Sequence, residues 1–473
     1  MNEANSIREL KDAGAGVIEF SPQSVKVLNW ERLRATFIDK LAWTVAFSSS
    51  AEAKNSAIWL IRNLAQQSGN GPASINEVYM GRGKGQLPNN FTVPAINVRA
   101  AAYYFARAVL RAAKRHETST LIFELSRSEM GYTNQSPAEY ASSILAAALR
   151  EGYPWPVFIQ GDHYQVNAAK YHKDPQGELE GIRKLSLQSM EAGFFNIDID
   201  TSTLVELEKT TLAEQQKLNC EACAGLSDFI RKNQPGGVCI SLGGEIGEVG
   251  LRNSTVEELE AFMDGYNALI GKGQVGLSKI SVQTGTAHGG IVLPDGTMAK
   301  VKVDFDVLGR LSEAGRTRYG MAGAVQHGAS TLPMELFDRF PQVGTAEIHL
   351  ATEFQNILYE HPSFPAELKE KMYAFLNKEC ANERKATDTD SQFYYKTRKK
   401  ALGPFKKDLW SLPDGVMNSI MSALQEKVDL LFRKLNMLGT GPLTKPFVKM
   451  ENVAIPGPSN ASGAKIESFD GAD

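Results

Sequence analysis

From about residue 92 to 352, short apolar runs alternate with longer stretches whose apolar residues recur at helical spacing, the mark of βα units building a parallel sheet. Eight such runs occur: FTVPAINV ending at Val98, STLIFELS at Ser126, PVFIQGDH at His163, FFNIDID at Asp200, GVCISLGGE at Glu245, KISVQTGTAH at His288, GAVQHG at Gly328 and AEIHLAT at Thr352. Eight strands, each followed by helix-like sequence, predict an α/β fold of the (β/α)8 TIM-barrel type. The intervening segments agree. AAAYYFARAVLRAAKRH carries Ala and long side chains at helical positions, and PAEYASSILAAALREG opens with Pro and closes with Gly, the usual punctuation of a helix. A doubly wound open sheet is the competing architecture, but GRGKG at 81–85 precedes the first strand instead of following it, so no dinucleotide fingerprint stands where that fold needs one.

Side chains alternate across a strand, so Asn196, Asp198 and Asp200 share one face, as do Lys279, Ser281 and Gln283, and Glu347 with His349. These polar sets are expected to point into the barrel. A buried lysine needs a partner, and Glu347 or Glu124 is the expected one for Lys279. Outside the barrel, taken as residues 86–360, the amphipathic patterns predict an N-terminal helical extension over 1–85 and a C-terminal one over 361–455, the latter including GVMNSIMSALQEKVDLLFRKLNML. The Gly/Pro/Ser-rich end, 456–473, reads as disordered. The N-terminal extension is expected to serve packing or oligomerisation, and the basic run KTRKKALGPFKK at 396–407 reads as a solvated face.

Composition changes this picture little. The chain has 473 residues, 42% hydrophobic and 22% charged, with 51 basic and 54 acidic side chains and a net charge of -3. That balance gives no electrostatic reason to expect nucleic acid or an anionic membrane, and no apolar run approaches the roughly 20 residues needed to span a bilayer. The expected partner is a small molecule. Four cysteines in so long a chain and the lack of a secretory signal pattern point to a reducing, cytoplasmic setting. Cys220-x-x-Cys223 has no second Cys/His pair at zinc-finger spacing and reads as part of a helix, not as a redox or metal site.

A TIM barrel builds its site from the carboxyl ends of its strands. Here those ends carry Asn97, Ser126, Asp162, His163, Glu245, His288, Gly289, His327, Gly328 and His349, and four of the chain's seven histidines are among them. Each histidine alone has a bland reading as a hydrogen-bonded polar group. Together, three histidines and a carboxylate at one mouth form a donor set for Zn2+, with Co2+ or Mn2+ able to substitute.

The motifs GDH at 161–163, GGEIGEVG at 243–250, GTAHG at 285–289, QHGAS at 326–330 and AEIHLATE at 346–353, with VPAINV at 93–98, resemble in order and spacing those of the class II fructose-bisphosphate aldolases and their tagatose-bisphosphate relatives. The resemblance spans about residues 90–355. It implies His163, His288 and His327 as zinc ligands, Glu245 as a further ligand or close neighbour of the metal, and Asp162 as the acid/base. It further implies that Gly289, Gly328, Ser330 and Thr352 cradle a substrate phosphate, that Asn97 and Ser126 line the pocket, and that His349 borders the ketose. The implied reaction is reversible cleavage of a ketose (bis)phosphate to dihydroxyacetone phosphate and an aldehyde, in carbohydrate metabolism such as glycolysis, by a homo-oligomer.

The chemistry suits these residue types on its own terms. Retro-aldol cleavage leaves an enediolate, whose charge a Lewis-acid metal can stabilise without a Schiff-base lysine. Two departures from the family's pattern bear on substrate. His349 stands where the family usually has Asn, and Ala351 where it has Asp or Asn. They motivate one alternative, a metal-dependent lyase for a different anionic sugar; a non-catalytic aldolase-like subunit is a second. The family's second catalytic carboxylate, on the loop after the fifth strand, has no clear counterpart in LRNST and the following Glu257 and Glu258.

Overall fold

The computed structural model describes residues 2–247, 252–285, 293, 302–455 and 457–458. All eight apolar runs contain a strand: β1 Val93–Asn97, β2 Ile122–Ser126, β3 Val157–Gln165, β4 Asn196–Asp200, β5 Ser241–Glu245, β6 Lys279–Val282, β7 Ala324–Gln326 and β8 Glu347–Leu350. Each pairs in parallel with the next in chain order, and β8 returns to β1 through Glu347 opposite Val93, closing the sheet into a TIM barrel. Around it lie α1 Ala102–Arg115, α2 Pro137–Glu151, α3 Pro175–Ala192, α4 Leu212–Asn233, α5 Val256–Leu269, α6 Phe305–Tyr319 and, after β8, α7 Thr352–Glu360. Between β7 and β8 the chain makes two 3-10 turns and the four-residue helix Arg339–Gln342.

Local chemistry sets the helix ends. α2 begins with Ser136 accepting from the Glu139 N–H, has Pro137 in its first turn, and stops at Gly152 in the left-handed conformation, φ 59°. α3 repeats the scheme with Asp174, Pro175 and Gly193. In the strands the alternation holds: Ile197 and Ile199 join the apolar core, while Asp198 and Asp200 turn to polar partners inside the barrel.

The flanking regions close both the outer wall and the floor. Helix Asp414–Lys434 buries Met417, Ile420, Met421, Leu424, Val428, Leu431 and Phe432, a helical stripe, and packs on α1, where Asp429 pairs with Arg115 at 2.7 Å and with His116 at 2.9 Å. The N-terminal region carries strands as well as helices. Ile18–Ser21 and Ser24–Val27 form a hairpin, and Pro72–Ala73 adds to β3 beside Val157 and Phe158. Helix Asn76–Gly83 then lies beneath the barrel, with the buried Arg82 guanidinium donating to the Phe91 carbonyl at 2.8 Å and the Thr345 carbonyl at 3.3 Å.

The basic run 396–407 is only in part the solvated face its composition suggests: Lys396 and Lys407 are exposed, while other cations of the run turn to neighbouring elements. Arg398 is buried against Asn356, Glu360 and the ring of Tyr359, Lys400 pairs with Glu383, and Lys406 with Glu139. Cys220 and Cys223 lie buried in α4 as thiols, and burial pushes Cys220 up to about 12. No helix among the described residues is long and apolar enough to cross a membrane. The tail from 459 lies outside the described residues.

Candidate metal and active site at the barrel mouth

The mouth begins with an irregularity in β3. Its pairing with β4 slips between Gly161 and Tyr164, which face Ile197 and Ile199 respectively, so Asp162 and His163 together stand opposite Asp198. His163 adopts the left-handed conformation, φ 41°. Bulges and strained backbone of this kind redirect side chains at functional sites. A Cβ on Gly161 would lie 2.3 Å from the folded-back Tyr164 ring, so only glycine leaves room for the kink. Asp162 and His163 consequently both enter the mouth.

There, His163 Nδ1 lies 3.1 Å from Asp200 Oδ2 and 3.4 Å from Glu245 Oε2, and its Nε2 lies 3.8 Å from Asp162 Oδ1. His327, just past β7, places Nε2 3.7 Å from the same Asp162 oxygen, and its ring centroid is 4.2 Å from that of His163. Two groups at the mouth therefore bring donor atoms within 4.8 Å of one another, His163 with Asp200 and Glu245, and His163 with Asp162 and His327, while a third, Glu124, Asp198, Glu347 and His349, does so below it. Asp200, from the end of β4, was not among the residues expected at the site. Its signal lay in its terminal place on a barrel strand and its shared face with Asp198.

Charge is distributed unevenly. Burial pushes Glu245 up to about 7, with the Asp200 carboxylate adding to the effect. Burial alone would favour neutral His163, but Asp162, Asp200 and Glu245 outweigh it and hold the imidazole well above its ordinary range. His327 goes the other way, held well below by burial and by its neighbours His349 and His163. Asp162 stays well below the carboxylate range, since the surrounding imidazoles overcome its burial. A neutral imidazole, a convertible one and two carboxylates are a donor set suited to a borderline divalent cation, so the residues fit such an ion.

The other expected residues occupy varied settings. Asn97 donates to Glu129 Oε2 at 2.6 Å and to Asp162 Oδ2 at 3.3 Å. Ser126 is used as a helix cap, accepting from the Glu129 N–H. Glu129 thus ties Asn97, Ser126 and Arg99 together. Ser330, on the turn after Gly328, accepts from the Ala351 N–H at 2.8 Å and so sits against the start of α7 at Thr352. His349 points below the mouth: Nδ1 lies 3.1 Å from both Asp162 Oδ1 and Glu124 Oε2, and Nε2 2.7 Å from Glu347 Oε1. Against the effect of burial, Glu124 and Asp162 raise its pKa well above the ordinary range. Lys279 pairs with Glu347, as expected, and also with Asp198 at 2.9 Å. A Cβ on Gly243 would meet Asp198 at 2.3 Å, so the glycine makes room for this pair. Glu258 is consumed in capping α5 and in pairing with Arg252. His288 and Gly289 lie outside the described residues.

A family model described as fructose-bisphosphate aldolase class-II matches residues 87–431. The chain belongs to this aldolase family. The match extends through most of helix Asp414–Lys434, farther than the motifs alone reach. Aldolases of this class are lyases acting on sugar phosphates and are typically metal dependent. Among solved structures, a probable tagatose 6 phosphate kinase from Sinorhizobium meliloti 1021 is similar in fold, with a TM-score of 0.52 and 15% identity over 75% of this chain and 99% of that one. Fructose-bisphosphate aldolase from Campylobacter jejuni aligns with a TM-score of 0.47 and 18% identity, over 78% and 96%. The YdjI aldolase from Escherichia coli K12 gives 0.44 and 14%, over 77% and 98%. A comparison with curated proteins finds no match.

Proposed function

We propose that this aldolase-family chain cleaves and forms a carbon-carbon bond in a ketose (bis)phosphate, yielding dihydroxyacetone phosphate and an aldehyde, with a Zn2+-type divalent ion held by His163, His327, Glu245 and His288. The observation that carries the reading is the convergence of His163, His327, Asp162, Asp200 and Glu245 within one mouth. The bound ion would supply Lewis-acid polarisation of the ketose oxygens and offset the negative charge that grows as the bond breaks.

The chain supplies the rest. Asp162, ionised although buried, is the base that takes the proton from the hydroxyl on the carbon losing its bond, and it returns that proton in the synthetic direction. Asn97 orients the second Asp162 oxygen through its amide. Asp200 fixes the His163 ring from behind, the usual service of a carboxylate to a ligating imidazole. Gly328, Ser330 and Thr352, near the carboxyl ends of β7 and β8, together with Gly289, would receive the phosphate through N–H and hydroxyl donors. The His349 imidazole, engaged with Asp162 and Glu347, leaves less hydrogen-bonding capacity toward the ketose than an amide there. Fructose 1,6-bisphosphate is accordingly a poor substrate relative to the best ketose phosphate.

The test is aldol cleavage across a panel of ketose mono- and bisphosphates, before and after chelation and with Zn2+ or Co2+ returned. Cleavage lost on chelation and restored by either ion is the expected result. In Asp162→Ala, turnover falls roughly 10²- to 10⁴-fold with metal content intact. Full activity in metal-free protein, or a lysine adduct trapped by borohydride, refutes the mechanism.

A further inference from the structure

Beneath the mouth runs a line of buried contacts that continues below Asp162 and His349. Its lower end is Tyr79, fully buried on helix Asn76–Gly83, in a segment that precedes the family-matched residues 87–431. The Tyr79 hydroxyl donates to Glu347 Oε2. The other oxygen of that carboxylate, Oε1, faces His349 Nε2 at 2.7 Å and also receives the Lys279 ammonium. Across the ring, His349 Nδ1 faces Asp162 Oδ1 and Glu124 Oε2, each at 3.1 Å. Tyr79, Glu347, His349 and Asp162 thus form a continuous chain from the barrel floor to the proposed base.

We infer that this chain sets the position of Asp162, so that Tyr79, Glu347 and His349 are positioning residues and the N-terminal segment is part of the catalytic apparatus. The inference rests on the reading of Asp162 as the base. An imidazole gripped by a carboxylate at one nitrogen has its ring plane fixed, and its other nitrogen then offers a hydrogen bond of fixed direction. The carboxylate is itself aimed by three further donors, Tyr79 O–H, Lys279 N–H and the Gln160 amide. In a buried network such bonds strengthen one another, and a base must be held within about 0.5 Å of its working place. Phenylalanine would fill the Tyr79 space equally well, so the hydroxyl is there for its bond. The helix itself is held by other contacts: Arg82 grips the carbonyls of Phe91 and Thr345, and the Ile75 N–H donates to Asn196 Oδ1 at 2.9 Å. Tyr79→Phe therefore removes one hydroxyl and leaves its helix anchored.

The experiment compares full-length wild type with Tyr79→Phe, His349→Asn and His349→Ala. It reads steady-state kinetics on the best ketose phosphate, bound metal by elemental analysis, and the imidazole N–H signals of protein labelled with 15N-histidine. Seven histidines make that spectrum tractable, and the His349 signals are assigned by their loss in His349→Asn. Tyr79→Phe should lower kcat about tenfold, leave KM and metal per chain within about twofold, and move the His349 signals while those of His116, His172 and His361 stay. The Asn amide can occupy the place of Nδ1 and keep the bond to Asp162, so His349→Asn should retain several times the kcat of His349→Ala. A folded Tyr79→Phe with wild-type kcat and unmoved His349 signals overturns the inference, as does a kcat loss matched by metal loss. If wild type cleaves no ketose phosphate, the proposed function fails. The imidazole signals still decide this chain separately: a shift in Tyr79→Phe upholds it, and no shift overturns it.

Discussion

Two acidic clusters lie one above the other in this barrel, and they differ in how their charge is met. In the lower one, Glu347 and Asp198 close on the Lys279 ammonium, with Gln160 bridging to Glu124 and Glu347. In the upper one, Asp162, Asp200 and Glu245 face His163 and His327. A lysine is a cation the chain carries with it, permanent and shaped by covalent bonds. Histidines are lone-pair donors that complete their charge balance only with a proton or a metal. On the proposed reading the lower cluster is built as structure and the upper one for exchange. Identical acidic residues would then serve stability in one layer and ligand binding in the next.

The contrast is broken most severely by removing one cation-side partner from each cluster. Lys279→Met leaves the His349 imidazole as the remaining cationic partner of Glu347 and Asp198, and losing one partner of a buried pair costs about 3–5 kcal/mol. His163→Ala removes a group whose partners can instead take up protons or reorganise at the mouth. Thermal or denaturant unfolding of the metal-free proteins should show a large loss for Lys279→Met and a much smaller one for His163→Ala. Metal content should show the reverse, near normal in any Lys279→Met that remains folded and lost in His163→Ala. Equal effects on both measurements would mean that the layers are one cluster.

A finer division separates Asp200 from Glu245, the two carboxylates on His163. Asp200 also receives the Ser202 N–H and hydroxyl and the Gln165 amide; against burial, His163 first and then these donors lower its pKa, whereas that of Glu245 is raised. On the proposed reading, the first is an orienting group and the second gives up a proton for a metal. Asp200→Asn should weaken metal affinity roughly 10- to 100-fold, as the loss of a carboxylate behind a ligating imidazole does, with stoichiometry restored at high metal concentration. Loss of stoichiometry at every concentration would make Asp200 a ligand in its own right.

Much of this was legible in the chain. Apolar runs gave all eight barrel strands because each strand must bury a face against the helices, and period-2 parity sent Asp198, Lys279, Glu347 and His349 inward. What was hidden has physical reasons. Asp200 reaches His163 only because β3 slips its register between Gly161 and Tyr164, and a slip of pairing leaves no mark on periodicity. Ser126 looks like any polar strand end, yet it caps a helix whose Glu129 completes the cap, a role visible only once the helix Arg127–Tyr132 is seen to start there. Tyr79 sits in an amphipathic stretch far from every motif, and its contact with Glu347 spans 268 positions, beyond any local pattern. Arg398 and Lys406 read as solvated because composition carries no information about which neighbour a long side chain will find.

The smallest effect tests the idea of exchange directly. In the metal-free fold, burial raises Glu245 to about 7, and the carboxylates around His163 raise it above its ordinary range. Both groups thus bind protons more tightly folded than unfolded, so their contribution to stability is present at low pH and is lost as pH rises through those raised values. Asp162 and Asp200, with lowered values, add stability that is lost only in acid, outside the window from about pH 6 to 8. A metal at His163 and Glu245 takes the place of their protons, so its apparent affinity should fall by up to about tenfold per pH unit for each proton displaced as pH drops. The unfolding temperature of the metal-loaded protein minus that of the metal-free protein removes every pH effect the two forms share. That difference should widen steadily from pH 6 to 8 at fixed free Zn2+. The Lys279 pair, whose cation is bound by the chain, contributes nothing to it, so Glu245→Gln should flatten the slope. A difference independent of pH would show that the upper cluster binds its ion without releasing protons, and would leave the two layers alike in kind.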